Sequence, residues 1–475
     1  MAADDLARSL RGVLGHERVR TEATEVALYD RDASLVRAGR AAVVCLPRST
    51  SDVQACVRAA RAHGLPFVAR GAGTGLAGGA VPVDGAVVIV TTGMDELVEV
   101  DTESRVAWVE PGVLNLDLTR AVAAHGLHFA PDPSSQQACT VGGNVANNSG
   151  GPHCLSYGVT SAHVLAVEVV LPDGEVAVLG GLDPEPEGYD LRGAFIGSEG
   201  TLGIATRIAV RLTPDPPAVR TMLVDFTSVE AAAACVSAVI AAGLVPAALE
   251  MLTGGMIAAV EDFVHAGFPV DAEAVLLAEV DGLPGAVAAA VALVERVALE
   301  HGARSVQVAA TTEQRALWWK GRKSAFGAVA RIAPNYYLHD TVVPRTKLVA
   351  VLAEVEAIAA RHDLLVLNVF HAGDGNLHPL LVFDAREPGV LDRVHAAGAE
   401  IVAVSLAAGG VLSGEHGIGL EKRDHMAEQF DAASLDAQAR LREAFDPDGV
   451  ANPTKILPAG SRCGDLQRIP DGLWV

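Results

Sequence analysis

The chain has 475 residues, more than one hydrophobic core usually holds, so two domains are expected. Its 36 Lys and Arg against 58 Asp and Glu give a formal charge of −22 without a long basic run, which argues against nucleic acid as a partner. The six cysteines, Cys45, Cys56, Cys139, Cys154, Cys235 and Cys463, show no Cys-x-x-Cys spacing, so they suit free thiols in a reducing compartment and leave no cluster ligands. An iron–sulfur centre would have to sit on a partner. The N-terminal residues include Asp4 and Asp5 where a signal peptide needs basic ones, and the longest uncharged run, 231–249, is broken by Gly243 and Pro246. A cytoplasmic protein without a transmembrane segment is the expectation.

In chain order, an apolar run at 41–46 precedes Ser51 to Gln54, a capping-box start for an amphipathic helix ending near Gly64. A strand at 67–69 then enters a first glycine loop, Arg70 to Gly79. The loop formally contains G-x-G-x-x-G at Gly73, Gly75 and Gly78, but a turn and a strand follow at 80–91 where the dinucleotide motif needs a helix. Its successive backbone N–H groups still suit an anion. Strands at 97–101 and 106–110, a helix at 116–124 and a rigid turn at 131–135 lead to a second glycine loop at 141–151, too polar to be core. Strands at 164–171 and 176–179 read as a hairpin, and a last strand runs to Thr213. Pro214, Pro216 and Pro217 mark a boundary. Beyond it, strand 221–226, helix 229–242, strand 247–251, strand 274–280, helix 285–301 and strand 305–309 follow the ferredoxin-like βαββαβ pattern. A helix from 312 to about 332 carries Arg322 and Lys323, and further helices are expected at 346–362, 391–407 and 435–444.

The segment from His371 to His378 lies between apolar runs at 364–370 and 379–383, and its Asp374-Gly375 pair suits a two-residue hairpin turn. That turn would set His371 directly opposite His378, with Cβ atoms ~5 Å apart. Two imidazoles so placed can share a metal, and Gly414 and Gly417 flank a carboxylate and a third imidazole, Glu415 and His416. Two His and one carboxylate leave a metal with open positions. On spacing alone, a plain glycine-rich hairpin with two surface histidines fits equally well.

Taken together, the loop 70–79, the glycine stretch 142–151, Gly197 to Gly203, His371 to His378, Gly414 to Gly417 and Asn452 to Lys455 resemble the FAD-dependent 2-hydroxy-acid dehydrogenases. That family includes D-lactate dehydrogenase, the flavin subunit of glycolate oxidase and D-2-hydroxyglutarate dehydrogenase. The resemblance runs in order from about Arg40 to Ile456. It implies an α+β fold, with a two-part FAD-binding domain of the vanillyl-alcohol-oxidase (PCMH) type and a ferredoxin-like FAD-linked oxidase C-terminal cap. The expected division is an N-terminal helical segment at 1–39, the FAD-binding domain at 40–216, the cap at 217–457 and a tail at 458–475.

The same resemblance implies residue roles. Arg70, Gly71, Ala72, Gly73, Thr74, Gly75 and Leu76 would cradle the FAD pyrophosphate. Pro131, Gly142, Gly143, Asn144, Ala146, Gly151, Tyr157, Gly158, Glu199, Gly203 and Ile204 would line the cofactor, with Asn452 near the ring. His371, His378 and Glu415 match the ligands of a divalent metal, zinc in many relatives. His416 matches the base, Arg322 the carboxylate-binding arginine and Asn376 a substrate contact. Without the resemblance, Arg322 reads as a solvated charge on a helix face. No His stands at 71–75, where covalent members of the fold link their flavin, and Cys139 is the only nearby thiol, so dissociable FAD is expected.

The implied partners are a 2-hydroxy acid, an electron acceptor or iron–sulfur subunit, and a second copy in a homodimer. The resemblance further implies that relatives taking D-2-hydroxyglutarate hold its distal carboxylate with a Thr one helical turn after the arginine; here that residue is Phe326, which favours D-lactate or glycolate, because a carboxylate buried against a phenyl ring would lack a partner. Two other readings use the same motifs: a metal-dependent hydrolase, and a flavoprotein subunit without catalytic activity.

Overall fold

The computed structural model describes residues 2–183 and 188–458, so the tail from Ala459, including Cys463, lies outside the described residues. By packing, the chain forms two units. One comprises the chain up to Gly151, then Gly158–Asp215, and the residues from Glu415 onward; the other comprises Pro152–Tyr157 and Pro216–Gly414. The chain thus returns to the first unit after Gly414, where a boundary at 457 was expected. There Asn452 N donates to Phe67 O at 2.8 Å, and Ala451 forms a parallel bridge with Phe67.

In the first unit, strands Val43–Cys45, Val87–Val90 and Phe67–Arg70 lie side by side and parallel, with Val19–Arg20 antiparallel at one edge. Val43, Val44, Cys45, Val87, Val88 and Ile89 are fully buried, as continuous apolar strands covered on both faces must be. Helix Thr50–Ala62 covers part of this sheet through Val53, Cys56, Val57 and Ala60. Its cap is Ser49, whose Oγ accepts from Asp52 N at 3.2 Å, two residues before the start read from the capping-box pattern. A second sheet of the unit is antiparallel: Leu97–Asp101, Val106–Val109, Ile204–Arg211, Val164–Val170 and Val176–Gly180, in that spatial order.

The second glycine stretch departs from its reading as a loop. Val141–Asn147 is a short helix capped by Thr140, whose Oγ1 accepts from Gly143 N at 3.2 Å. Val141 and Val145, four residues apart, form a stripe that enters the core, while the glycines and asparagines occupy the other faces. Counting polar residues hid that two-residue stripe.

In the second unit, strands Ala303–Val308, Ala218–Phe226, Ala274–Gly282 and Ala248–Thr253 are all antiparallel, in the fourth, first, third, second order of a ferredoxin-like sheet. Helix Gly254–Val264 is an addition that the sequence reading missed, between the second and third strands. Helices Val229–Ala241 and Pro284–Glu300 bury Val236, Val239, Val294 and Val297 against one face of the sheet. The helix expected from 312 to 332 is two, Thr312–Lys323 and Ala325–Val329, broken at Ser324.

Strand Leu365–His371 extends the sheet beyond Ala248–Thr253. Because side chains alternate along a strand, Leu249, Met251, Phe370, Ala372, Leu377 and Leu381 enter the helix-covered core. Their neighbours Glu250, His371, Asn376 and His378 therefore share the opposite face, and all four are buried. This face gathers four buried polar side chains. Among the described residues, no helix is long and apolar enough to cross a membrane.

Candidate functional site

The hairpin at 371–378 has a different register from the expected one. His371 pairs with Asn376, and Asn368 with Pro379, so four residues, Ala372 to Gly375, form the connection. The N–H groups of Asp374 and Gly375 both donate to His371 O, at 3.2 and 3.1 Å. Gly375 takes φ 76°, and a Cβ there would stand 2.1 Å from Val343 O, so the chain needs glycine at this corner. His378 is consequently a diagonal neighbour of His371 on the same face. The rings still meet edge to face, with centroids 5.0 Å apart, and a ring nitrogen of each lies within 4.8 Å of the other.

Both imidazoles are oriented from behind. His371 Nδ1 lies 2.8 and 2.9 Å from the two carboxylate oxygens of Glu250, and His378 Nδ1 lies 3.2 Å from His339 O. With Nδ1 so used, Nε2 is the atom each ring would offer to a metal, the arrangement seen when ligating histidines are held from the outer side. Asp340, which the sequence reading missed, places a carboxylate oxygen within 4.8 Å of a His378 ring nitrogen. It also accepts from Ser413 Oγ at 2.6 Å and from Gly414 N at 3.1 Å, which fixes the turn entering Glu415.

Arg322 is not the solvated charge its local sequence suggests, for it is 1% exposed. Its Nη2 lies 2.6 Å from Glu250 Oε2. That contact is an ion pair without hydrogen-bond geometry, and among the described residues Nε and Nη1 likewise have no hydrogen-bond partner. A buried guanidinium with unmet donors is costly to leave so, and a carboxylate would satisfy it. Burial pushes the Glu250 carboxyl up, but His371, Arg322 and His153 outweigh it, and the group lies below its ordinary range. Asn376 Oδ1 is likewise buried without a partner among the described residues.

In the first unit, Arg70 ends a buried strand, and its guanidinium carbon stands 5.7 Å from the centre of the Tyr29 ring. The loop folds back over this side chain: a Cβ on Gly73, at φ 74°, would meet Arg70 Nη2 at 2.1 Å. Gly71 backs onto Thr140, the cap of the short helix that carries Gly142, Gly143, Asn144 and Ala146. Gly203 and Ile204 open strand Ile204–Arg211, and Pro131 O accepts from Asn115 Nδ2 at 2.9 Å. Asn452 joins two of the predicted segments by donating to Gly79 O and Glu199 O, at 2.8 and 2.6 Å.

Glu199 clamps the segment after the proposed base, accepting from Ile418 N at 2.7 Å and Gly419 N at 3.1 Å. Asn147 Nδ2 donates to His416 O at 2.8 Å, and His416 Nε2 stands 3.8 Å from Glu415 Oε1. Burial drives the Glu199 carboxyl up to about 7 and the Lys455 ammonium down to about 7. Among the described residues, Arg70 Nη1, Lys455 Nζ and Asn452 Oδ1 are buried without partners. Orphaned cationic donors beside a glycine cradle fit a dinucleotide diphosphate. Lys455, buried, and Asp32, half-buried, had been given no role from the sequence. Tyr157, expected on the cofactor, belongs to the second unit, where its hydroxyl donates to Asp281.

Residues 41–180 match the FAD binding domain family, and residues 215–456 match the C-terminal domain of the FAD linked oxidases. The chain belongs to the FAD-linked oxidases. It is a flavoenzyme with FAD as its cofactor. A glycolate oxidase subunit, GlcD, of Escherichia coli strain K12 is 44% identical over 93% of this chain and 89% of its own length. A D-lactate dehydrogenase of Anaerostipes hadrus is 34% identical over 91% of each chain. In three dimensions, 4-ethylphenol oxidase from Gulosibacter chungangensis superposes with a TM-score of 0.81 over 96% of this chain and 98% of its own, at 20% identity. The architecture of this FAD-linked oxidase is therefore the vanillyl-alcohol-oxidase type expected from the sequence.

Proposed function

We propose that this FAD-linked oxidase converts a small D-2-hydroxy acid, glycolate or D-lactate, into the corresponding 2-oxo acid. The observation that carries the reading is the buried Arg322 guanidinium, whose Nε and Nη1 await a carboxylate on the same sheet face as His371, Asn376 and His378. Relatives named glycolate oxidase and D-lactate dehydrogenase support the substrate class. Arg322 anchors the carboxylate and turns C2 toward the reacting groups, and Asn376 contributes a polar contact. Bound FAD would supply the hydride acceptor for C2. His371, His378 and Glu415 would hold a divalent metal, zinc in this reading, which would supply Lewis-acid chemistry that lowers the cost of ionising the substrate hydroxyl. His416 removes the hydroxyl proton as the general base. The flavin is held without a covalent link. Electrons then pass to a separate acceptor or an iron–sulfur partner subunit.

Phe326 sets the size limit. Its ring stacks on Tyr336 with centroids 6.3 Å apart, and a phenyl ring offers no hydrogen bond to a second carboxylate. The decisive measurement is kcat/KM for D-lactate, glycolate and D-2-hydroxyglutarate with one artificial acceptor. The smaller acids should lead. A preference for the dicarboxylate by tenfold, about 1.4 kcal/mol in transition-state binding, would refute the size argument.

Metal removal separates the two cofactors. Dialysis against a strong chelator should abolish turnover while the protein stays yellow, and added zinc should restore it. Full activity in protein shown by elemental analysis to be metal-free would refute the metal assignment.

A further inference from the structure

We propose that Glu250 is a positioning residue shared by the two ends of this site, coupling retention of the metal to capture of the substrate carboxylate. The inference rests on the reading of His371 as a metal ligand and Arg322 as the carboxylate anchor. Glu250 sits in strand Ala248–Thr253 directly across from His371. Glu250, Arg322 and His371 are 0%, 1% and 4% exposed. One carboxylate therefore does two things at once: Oε1 and Oε2 lie 2.8 and 2.9 Å from His371 Nδ1, and Oε2 lies 2.6 Å from Arg322 Nη2.

Each contact has its own effect. By accepting a hydrogen bond from Nδ1–H, Glu250 fixes the tautomer in which Nε2 is the ligating atom and makes that nitrogen a better ligand. By pairing with Nη2, it neutralises a guanidinium that would otherwise stand uncompensated in the interior, and holds Nε and Nη1 for the substrate. Stability alone does not call for such a group, because an apolar set of similar volume often packs as well as a buried ion pair. Because a single side chain serves both residues, disturbing it must weaken both functions, whereas two independent supports would fail separately.

The test uses the FAD-loaded full chain and its Glu250→Gln variant, which keeps the shape and one acceptor but loses the charge. Zinc affinity is read by competition with a chromophoric chelator. The carboxylate anchor is read by titrating propanoate, which has no hydroxyl to oxidise, against the flavin absorbance. Zinc should bind the variant more weakly by roughly 10–100-fold. Propanoate should also bind more weakly, by about tenfold or more, while the FAD content matches the wild type. A variant with normal flavin and both constants within about twofold of wild type overturns the proposal, as does a change in only one of them. If Glu250→Gln does not fold, Glu250→Asp, which keeps the charge but withdraws it by one methylene, is read by the same two titrations and against the same outcomes. A wild-type protein that takes up no zinc refutes the metal reading and this coupling together. That failure is visible before any variant is made.

Discussion

Replacing His416 with Asn should leave flavin and zinc contents intact and slow reduction of the flavin by substrate by ~10²–10⁴-fold, the range for losing a general base. The backbone of this segment is held by contacts that do not involve the imidazole. Asn147 donates to His416 O, and Glu199 accepts from Ile418 N and Gly419 N. Asparagine can therefore occupy the position without moving Glu415. Anaerobic stopped-flow absorbance measures the reduction step directly, apart from the electron acceptor. A rate within about threefold of wild type would show that His416 takes no part in proton removal.

The second large effect lies in the first glycine loop. Gly73→Val should yield a folded but colourless protein that FAD does not reconstitute. At φ 74° a β-branched residue is strained, and the added Cβ would stand 2.1 Å from Arg70 Nη2 and 2.7 Å from its Cζ. Arg70 would be driven off the Tyr29 ring, and its orphaned Nη1 would lose its direction. Circular dichroism checks the fold and the 450 nm region of the flavin checks occupancy, about where oxidised flavins absorb. In the wild type, acid precipitation should release the flavin into the supernatant. Flavin retained in the pellet would contradict dissociable binding, and a yellow Gly73→Val protein would contradict the role of the loop.

The general architecture was legible because its elements carry strong local signals. The parallel strands are short, largely apolar runs, Val87–Val90 of Val and Ile alone, the ferredoxin-like order follows from strand and helix periods, and the prolines at 214, 216 and 217 mark the first boundary. The site was legible only where glycine fixed a turn. Even there the turn chemistry misled: Asp374-Gly375 suggested a two-residue connection, but close approach of Val343 O at Gly375 and the two hydrogen bonds from Asp374 N and Gly375 N to His371 O made it four. The shift was even, so the face of His378 was preserved. An odd shift would have turned His378 to the helix-covered core.

Glu250 was invisible for the opposite reason. It is one acid within an apolar strand, and no spacing rule links it to His371, which lies 121 positions away in the chain. The alternation of Ala248–Thr253 does predict that residue 250 faces away from Leu249 and Met251. It does not say what that face contains. Without the family resemblance Arg322 reads as solvated, because the charges flanking it in Lys320 to Lys323 suggest solvent, while its own direction on the helix leads to Glu250.

The second unit is discontinuous in sequence, and this limits how the enzyme can be rebuilt. The chain crosses between units at 151/152, 157/158, 215/216 and 414/415. A chimera that exchanges 216–414 as one cassette would take Glu279 and Asp281 from one parent and the segment 152–157 from the other. In this chain that segment supplies His153, 3.1 Å from Glu279 Oε1, and Tyr157, whose hydroxyl donates to Asp281. Glu279 also receives Arg315 and Trp319 Nε1, so the acid stays buried in the graft while one of its donors becomes a foreign residue. Recombination between relatives should tolerate a junction near 216 only when the six residues from Pro152 travel with the larger piece.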